Sequence, residues 1–179
     1  KQSTMKNIIK STALLLCSLA FLTACDDDRD NNPTIQTPTT FVLNTPSYAQ
    51  ANVDLATSES LAFSWSQPDY GFPALASYQI QVSPTNRWTK DIQAGEKDAT
   101  DQAVGDYKTF DTEFSLVKGS VAANEMAKAL QEIVRYEPNN VPASQDVYVR
   151  VRAAYAGDTI YSNAVQIKVL PYYMKLKDA

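Results

Sequence analysis

Residues 61–71 read LAFSWSQPDYG, and the alternation within this stretch decides the fold. Leu61, Phe63 and Trp65 fall on one face of an extended chain, whereas the residues between them are small or polar. A period of two residues is typical of a β-strand that is buried on one side. The turn residues that begin at Pro68 end the strand. We therefore predict that Trp65 is a core residue.

Three further stretches repeat this pattern and extend the prediction to a whole β-domain. Their apolar positions are Tyr78, Ile80 and Val82; Val147, Val149, Val151 and Ala153; and Val165, Ile167 and Val169. Gly157 and Asp158 separate the last two stretches, which predicts a hairpin. Weaker strand predictions fall at residues 41–44, near Trp88 and at residues 107–117. About seven short strands favour a mainly β fold that forms a β-sandwich.

One helix interrupts the strands at about residues 122–136. Met126, Leu130, Ile133 and Val134 follow the spacing of a helix with one apolar face, and Pro138 lies just beyond its end. An α/β fold would need many alternations of helix and strand. A single helix instead favours an insertion that caps one end or edge of the sandwich.

Composition excludes several kinds of function. The chain has no histidine, and its cysteines are Cys17 and Cys25, so the folded part lacks the commonest general base and thiolate metal ligands. Its net charge of −4 argues against a nucleic-acid partner. No phosphate-binding or dinucleotide motif is present. We therefore predict no cofactor, no metal and no enzymatic activity; an enzyme with a scattered carboxylate pair remains the weakest alternative.

The first 24 residues have the organisation of a secretory signal peptide. Lys6 and Lys10 precede an apolar run at residues 11–22, which is shorter than the roughly 20 residues needed to span a bilayer. Cys17 belongs to this run. Residues 1–4, ahead of Met5, are interpreted as upstream read-through.

The signal peptide ends in Leu22-Thr23-Ala24-Cys25, which resembles the lipobox of bacterial lipoproteins. This resemblance implies cleavage before Cys25, a diacylglycerol on its thiol and a further acyl chain on its new amine. Several acyl chains anchor a protein durably, whereas a single chain does not. The alternative is a chance cysteine within a signal peptide.

An acidic run follows the cysteine, and residues 25–40 are predicted to form a lipidated, acidic, disordered tether. A calcium loop is rejected, because the run lacks the required glycine and closing glutamate. Asp26, Asp27 and Asp28 resemble the surface-export signal of lipoproteins from glycan-capturing gut anaerobes. By enterobacterial rules, Asp26 would instead indicate retention at the inner membrane. A solvated charge run is the simplest interpretation of these residues.

Two stretches of the folded part resemble fibronectin type III domains: LAFSWSQPDYGFPALASYQIQVS and VYVRVRAAYAGDTIYSNAVQIKV. The resemblance implies that the predicted sandwich is immunoglobulin-like or fibronectin type III-like. Val147 stands where such domains place a tyrosine, so the tyrosine-corner hydrogen bond is not expected. The lipobox, CDDDRDNNP, PTTFVLNTP, LAFSWSQPDYGF, the helix and PYYMKL together resemble the SusE family of outer membrane lipoproteins, which belong to a starch and glycan utilisation system. The resemblance implies an N-terminal domain at residues 41–172, with residues 173–179 beginning a linker to missing C-terminal glycan-binding modules.

The family resemblance implies a non-enzymatic lipoprotein that is exposed on the outer membrane and serves polysaccharide binding and uptake. Its implied partners are starch or a related glycan, the outer membrane, a TonB-dependent transporter and partner lipoproteins. The folded fragment would then be a membrane-proximal spacer and docking domain. The alternative function is a surface adhesin or assembly lipoprotein that binds proteins through the edges of the sandwich.

Three aromatic residues are candidate glycan contacts, because sugar-binding surfaces stack flat rings against apolar sugar faces. Trp88 has the best hydrogen-bonding neighbours, and Tyr70 and Phe72 lie in a turn. For Trp88, the favoured interpretation is packing on the sandwich at a strand edge, and for Tyr70 and Phe72 it is packing within the loop. Arg150 and Arg152 are expected to pair with neighbouring acidic residues.

Overall fold

A computed structural model describes residues 34–100 and 102–175, without the side chain of Ala94. The predicted signal peptide, the lipidation site at Cys25, the export signal at Asp26, Asp27 and Asp28, and the last part of the predicted linker lie outside the described residues. Within the described ranges, no helix is long and apolar enough to cross a membrane.

The described chain contains strands in two sheets and one α-helix. The strands are β1 (Asn52–Asp54), β2 (Ser60–Ser64), β3 (Ser77–Ser83), β4 (Lys108–Thr109), β5 (Lys118–Ala122), β6 (Gln145–Tyr155), β7 (Asp158–Tyr161) and β8 (Val165–Leu170). One sheet has the order β1-β8-β6-β3-β4, with β7 also paired to β6, and the other consists of β2 and β5. The two sheets form a sandwich, which confirms the predicted fold class.

The predicted alternation places one face of each long strand in the core. On β6, the side chains of Val147, Val149, Val151 and Ala153 are 0% exposed. Ile80 of β3 pairs with Val151, and Val165 of β8 pairs with Val149. Apolar side chains in register on adjacent strands produce a continuous buried layer, so these strand predictions are confirmed.

The predicted hairpin is present, but its second strand is broken in two. β7 pairs with the end of β6, and β8 pairs with its beginning. Ala156 and Gly157 form the connecting turn with positive φ angles of 51° and 90°, as in the primed turns that suit the twist of a hairpin. At the break, the backbone N–H of Val151 donates to Ser162 Oγ at 2.9 Å, which replaces a strand hydrogen bond.

The side chain of Asn163 ties this break to the opposite side of the sandwich. Its Oδ1 accepts from the Leu43 N–H at 2.9 Å, and its Nδ2 donates to the Leu43 carbonyl at 3.2 Å. An amide side chain offers one donor group and one acceptor, as a backbone peptide does. Leu43 also forms an isolated β-bridge with Trp65, so the weak strand prediction at residues 41–44 reduces to this bridge.

Helix α1 spans Ala123–Val134 and packs against β5, β2 and β3. Met126 and Leu130 are fully buried, which confirms the predicted apolar face. Ile133 and Val134 are only partly covered, because they lie at the end of the helix. The helix ends where Arg135 adopts a left-handed conformation, with φ of 60°, and donates its N–H to the Gln131 carbonyl.

Several strand predictions differ from the structure. Trp88 lies in irregular chain, and only Lys108–Thr109 of the predicted stretch 107–117 forms a named strand. β1 and β5 were not predicted at all. β5 reads KGSVA, which lacks an apolar alternation. It is extended because β2 provides an antiparallel partner over its whole length, and pairing of this kind cannot be read from local sequence.

Candidate functional site

The outer face of the six-stranded sheet carries a group of aromatic rings around one arginine. We define the Arg150 cluster as Trp88, Tyr107, Arg150 and Tyr161. The guanidinium carbon of Arg150 lies 4.2 Å from the centre of the Trp88 ring and 4.1 Å from that of Tyr161. Tyr107 is more distant, at 5.5 Å. Rings within about 6 Å of a guanidinium attract its charge.

Four separate parts of the chain bring the cluster together. Arg150 points outward from β6 because its neighbours Val149 and Val151 point inward. Tyr161 ends β7 opposite Arg152, and is therefore the diagonal neighbour of Arg150. Tyr107 directly precedes β4, and Trp88 follows β3.

Trp88 is positioned by a bend and by the neighbouring tyrosine. Asn86 has a positive φ of 57°, and its Oδ1 accepts a hydrogen bond from Trp88 Nε1 at 3.0 Å. The Trp88 and Tyr107 rings pack with their centres 5.7 Å apart. The indole nitrogen is thus satisfied within the domain, and the ring is half-buried.

A chain of hydrogen bonds across β3 and β4 holds the guanidinium of Arg150 in place. Its Nε donates to Gln81 Oε1 at 2.7 Å, and Gln81 Nε2 donates to Thr109 Oγ1 at 2.8 Å. The Thr109 hydroxyl in turn contacts the carboxylate of Asp91. Gln81 is only 2% exposed, so its amide has little freedom to reorient. The direction in which the guanidinium points is therefore set by buried groups.

Arg152 lies on the same face and is also held by neutral partners. Its Nη1 donates to Gln79 Oε1 at 2.7 Å, and its Nη2 donates to Thr159 Oγ1 at 3.4 Å. Residues two apart on a strand share a face, so the two guanidinium groups are neighbours on the sheet.

The expectation that these arginines pair with acidic residues is wrong. Over residues 34–100 and 102–175, the salt bridges that form involve other basic residues, namely Lys90, Lys108, Lys128, Arg135 and Lys168. Burial lowers the pKa of Arg150, while Tyr161 and Tyr107 act in the opposite direction. An arginine stays protonated at neutral pH regardless, so the outer face carries two cationic groups that have no carboxylate partner among the described residues.

The three candidate glycan contacts do not lie together. Trp88 belongs to the Arg150 cluster, whereas Tyr70 and Phe72 pack against Tyr155 at ring-centre distances of 5.0 and 5.9 Å. Tyr70 is only 3% exposed, so its ring cannot stack on a sugar unless the loop opens. Phe72 is half-buried. Trp65 lies in the core, as predicted, 3% exposed.

Sequence reasoning missed Tyr107 and Tyr161 as companions of Trp88. The available signal was the polar face of β6, because Arg150 and Arg152 alternate with buried valines. No local pattern connects Trp88 with Arg150, which is distant in sequence. Within the described ranges, no group of three or more acidic, cysteine or histidine residues could hold a metal ion.

The fold and the site define an immunoglobulin-like β-sandwich domain with an arginine-centred aromatic cluster on its outer face. A family model described as SusE outer membrane protein matches residues 27–152. The match covers more than half of the chain, so the chain belongs to the SusE outer membrane protein family. The predicted family resemblance is confirmed. Membership places the protein at the outer membrane and implies a role in the starch utilisation system there.

Proposed function

We propose that the chain is a non-enzymatic, lipid-anchored surface protein that captures polysaccharide, and that its sandwich is a membrane-proximal spacer and docking domain. The observation that carries this proposal is the SusE family match over residues 27–152, which includes most of the sandwich. A packed β-domain suits a spacer because it is rigid, and the acidic, proline-containing sequence ahead of it is typical of a linker.

The proposed anchor and export signal precede the sandwich in the sequence. Lipid on Cys25 holds the protein in the membrane, and Asp26, Asp27 and Asp28 direct it to the outer surface. Glycan-binding modules beyond the sandwich hold starch or a related glycan. The sandwich positions them beside a TonB-dependent transporter and its partner lipoproteins.

Proteinase treatment of intact cells tests the surface location. We expect the wild-type protein to be in the outer membrane fraction and to be cut by added proteinase. Cys25→Ala should release it from the membrane, and Cys17→Ala is the matched control because Cys17 has no lipobox. Replacing Asp26, Asp27 and Asp28 by asparagine should keep it in the membrane but protect it from proteinase. A wild-type protein that resists proteinase on intact cells would contradict the surface location.

Partner binding needs a separate experiment. We expect the full-length gene product to be retained on a starch-containing gel and to be cross-linked to a TonB-dependent transporter in cells. Hydrolysis assays on the same glycans should show no turnover. Absence of retention on every polysaccharide tested would remove the glycan part of the proposal.

Binding of protein partners, as in an adhesin or assembly lipoprotein, is the second candidate function. Leu75 and Leu116 favour it, because they are 93% and 63% exposed and lie two residues before the first residues of β3 and β5. The short outer strands β1 and β4 oppose it, since brief edges are poor templates for an added strand. Leu75→Ser and Leu116→Ser should abolish partner capture if this function is correct. An in-frame stop codon directly after Ala179 would also favour it.

A further inference from the structure

We propose that the sandwich itself binds an acidic sugar, whose carboxylate or sulfate group contacts Arg150 and Arg152 while its ring stacks on the exposed rings of the Arg150 cluster. The proposal rests on the proposed glycan-capture function and adds a ligand class and a site within this domain. It differs from capture of neutral starch, which offers no anionic group to an arginine.

Arg150 and Arg152 lack a counter-charge among the described residues. Arg150 uses its Nε for Gln81, and Arg152 uses its Nη1 and Nη2 for Gln79 and Thr159. Neither guanidinium contacts a carboxylate among the described residues. The neutral oxygens and the aromatic rings replace part of the lost hydration of these half-buried cations, but they supply no full negative charge. A bound carboxylate or sulfate supplies that charge and accepts hydrogen bonds in the paired geometry that guanidinium favours.

The carboxylate of Asp91, which ends the hydrogen-bond chain from Arg150 through Gln81 and Thr109, is already engaged elsewhere. Asp91 contacts the Thr109 hydroxyl, and its Oδ1 accepts from the Gln93 N–H at 3.0 Å. It therefore caps the short 3-10 helix at Ile92–Ala94 and orients Thr109. Asp91 therefore supports the cluster through Thr109 and does not serve as the counter-ion of Arg150.

An exposed aromatic surface lies beside the positive charge of Arg150. Tyr161 is 46% exposed, and Trp88 is half-buried with its indole N–H satisfied by Asn86. Ring faces attract the apolar C–H face of a sugar, and a satisfied indole nitrogen demands no further partner. A flat ring next to a fixed cation distinguishes a charged sugar from a simple anion, which has no face to stack.

The side chains of Arg150 and Arg152 are held in place before any ligand binds. Arg150 lies between two rings, and the buried amide of Gln81 sets its direction. Arg152 lies two residues away on the same face, about 7 Å along the strand. Side chains that are already ordered lose little entropy on binding. Two such arginines suit a ligand that carries repeated anionic groups.

Isothermal titration calorimetry on the purified chain tests this proposal with three probes. Oligogalacturonate carries a carboxylate on each sugar, maltoheptaose is neutral, and poly-glutamate is anionic without sugar rings. We expect oligogalacturonate to bind, with an affinity that falls as salt rises. We expect maltoheptaose and poly-glutamate to bind at least about tenfold more weakly.

The variants locate the site. Arg150→Gln and Arg152→Gln should each reduce oligogalacturonate affinity about tenfold or more, and Tyr161→Ala should also reduce it. Lys118→Gln is the matched control, because it removes one positive charge from an exposed position on the other sheet. Circular dichroism confirms folding. If Arg150→Gln does not fold, Arg152→Gln and Tyr161→Ala still test the site.

The following outcomes of the calorimetry would each overturn the proposal of an acidic-sugar site. Equal binding of maltoheptaose would show that the anionic group is not recognised, and equal binding of poly-glutamate would show attraction by charge alone. Unchanged affinity in both arginine variants would place binding elsewhere. If no probe binds while the protein still cross-links to the transporter, this inference fails and the spacer function stands. If the wild type resists proteinase on cells, the surface function fails independently of the calorimetry.

Discussion

Two aromatic clusters in this domain have opposite environments. The interior cluster consists of Phe41, Trp65, Tyr78 and Phe114; the ring centre of Trp65 lies 5.5 Å from that of Tyr78 and 6.0 Å from that of Phe114. The Arg150 cluster lies on the outer face and contains a cation at its centre. Tyr78 of β3 belongs to the first cluster, whereas the second lies on the opposite face of the same sheet.

The difference between the clusters concerns what holds the rings in place. Burial and ring packing stabilise the interior cluster, and Trp65 Nε1 has no hydrogen-bond partner there. In the Arg150 cluster, the charge of Arg150 and hydrogen bonds hold the rings in place, and part of the ring surface is exposed to solvent. We therefore expect the interior rings to determine stability and the outer rings to determine recognition.

The largest effect is expected from Trp65→Ala. Removing a buried tryptophan leaves a cavity, so the free energy of unfolding should fall by about 3–5 kcal/mol, measured by urea denaturation. Trp88→Ala is the matched control and should cost about 1 kcal/mol, since a half-buried ring loses its contacts with Arg150 and Tyr107 but leaves no buried cavity. Equal losses in the two variants would break the distinction between the clusters.

A smaller effect is expected from Gly119→Ala in β5. A methyl group at Gly119 would lie 2.6 Å from a carbon of the Phe114 ring, and that ring packs against Trp65. Forcing the ring aside should cost about 1–3 kcal/mol in chemical denaturation. Ser120→Ala, an exposed neighbour, is the control, at about 0.5 kcal/mol or less. A neutral Gly119→Ala would mean that Phe114 is not tightly held.

Arg150→Gln is expected to have a modest effect on stability. It removes the cation from between Trp88 and Tyr161, which should lower the free energy of unfolding by about 1 kcal/mol. Arg152→Gln, which keeps that stack, should cost less. Thermal and urea denaturation of both variants measure this. A loss above about 3 kcal/mol would assign the cluster a structural role in place of recognition.

The smallest effect at neutral pH is expected from Tyr78→Phe. Burial raises the pKa of Tyr78, with a further contribution from Tyr70. Above about pH 10, an unfolded tyrosine loses its proton while folded Tyr78 keeps it, so the stability of the wild type falls as pH rises. Below about pH 10 this contribution is fully present, and the variant should match the wild type there.

Urea denaturation at a series of pH values up to about 11 measures this fall. Tyr78→Phe should show a shallower fall than the wild type. Some fall should persist, because burial also raises the pKa of Tyr136, to about 12. An identical pH dependence in Tyr78→Phe and the wild type would show that Tyr78 ionises as freely in the folded state as in the unfolded chain.

Alternation predicted the interior more completely than the surface. The buried positions of β2, β3, β6 and β8 follow from a period of two residues, because one face of each strand packs in the core and is shielded from water. Helix α1 follows from its own period. β1 and β5 were missed, since their extended conformation depends on strands distant in sequence. Trp88 was assigned to a strand edge, although a bend at Asn86 positions it.

The sequence by itself determined the mainly β class, the single helix, the burial of Trp65 and the resemblance that the SusE family match confirmed. Those features depend on local periodicity and on motifs, which are written in consecutive residues. Only the tertiary structure decided that Arg150 lies between Trp88 and Tyr161, with no acidic partner in the part of the chain that the structure describes, and that Tyr70 is buried. Those contacts join residues on separate strands and loops, and they exist only once pairing of the strands has placed the side chains on one face.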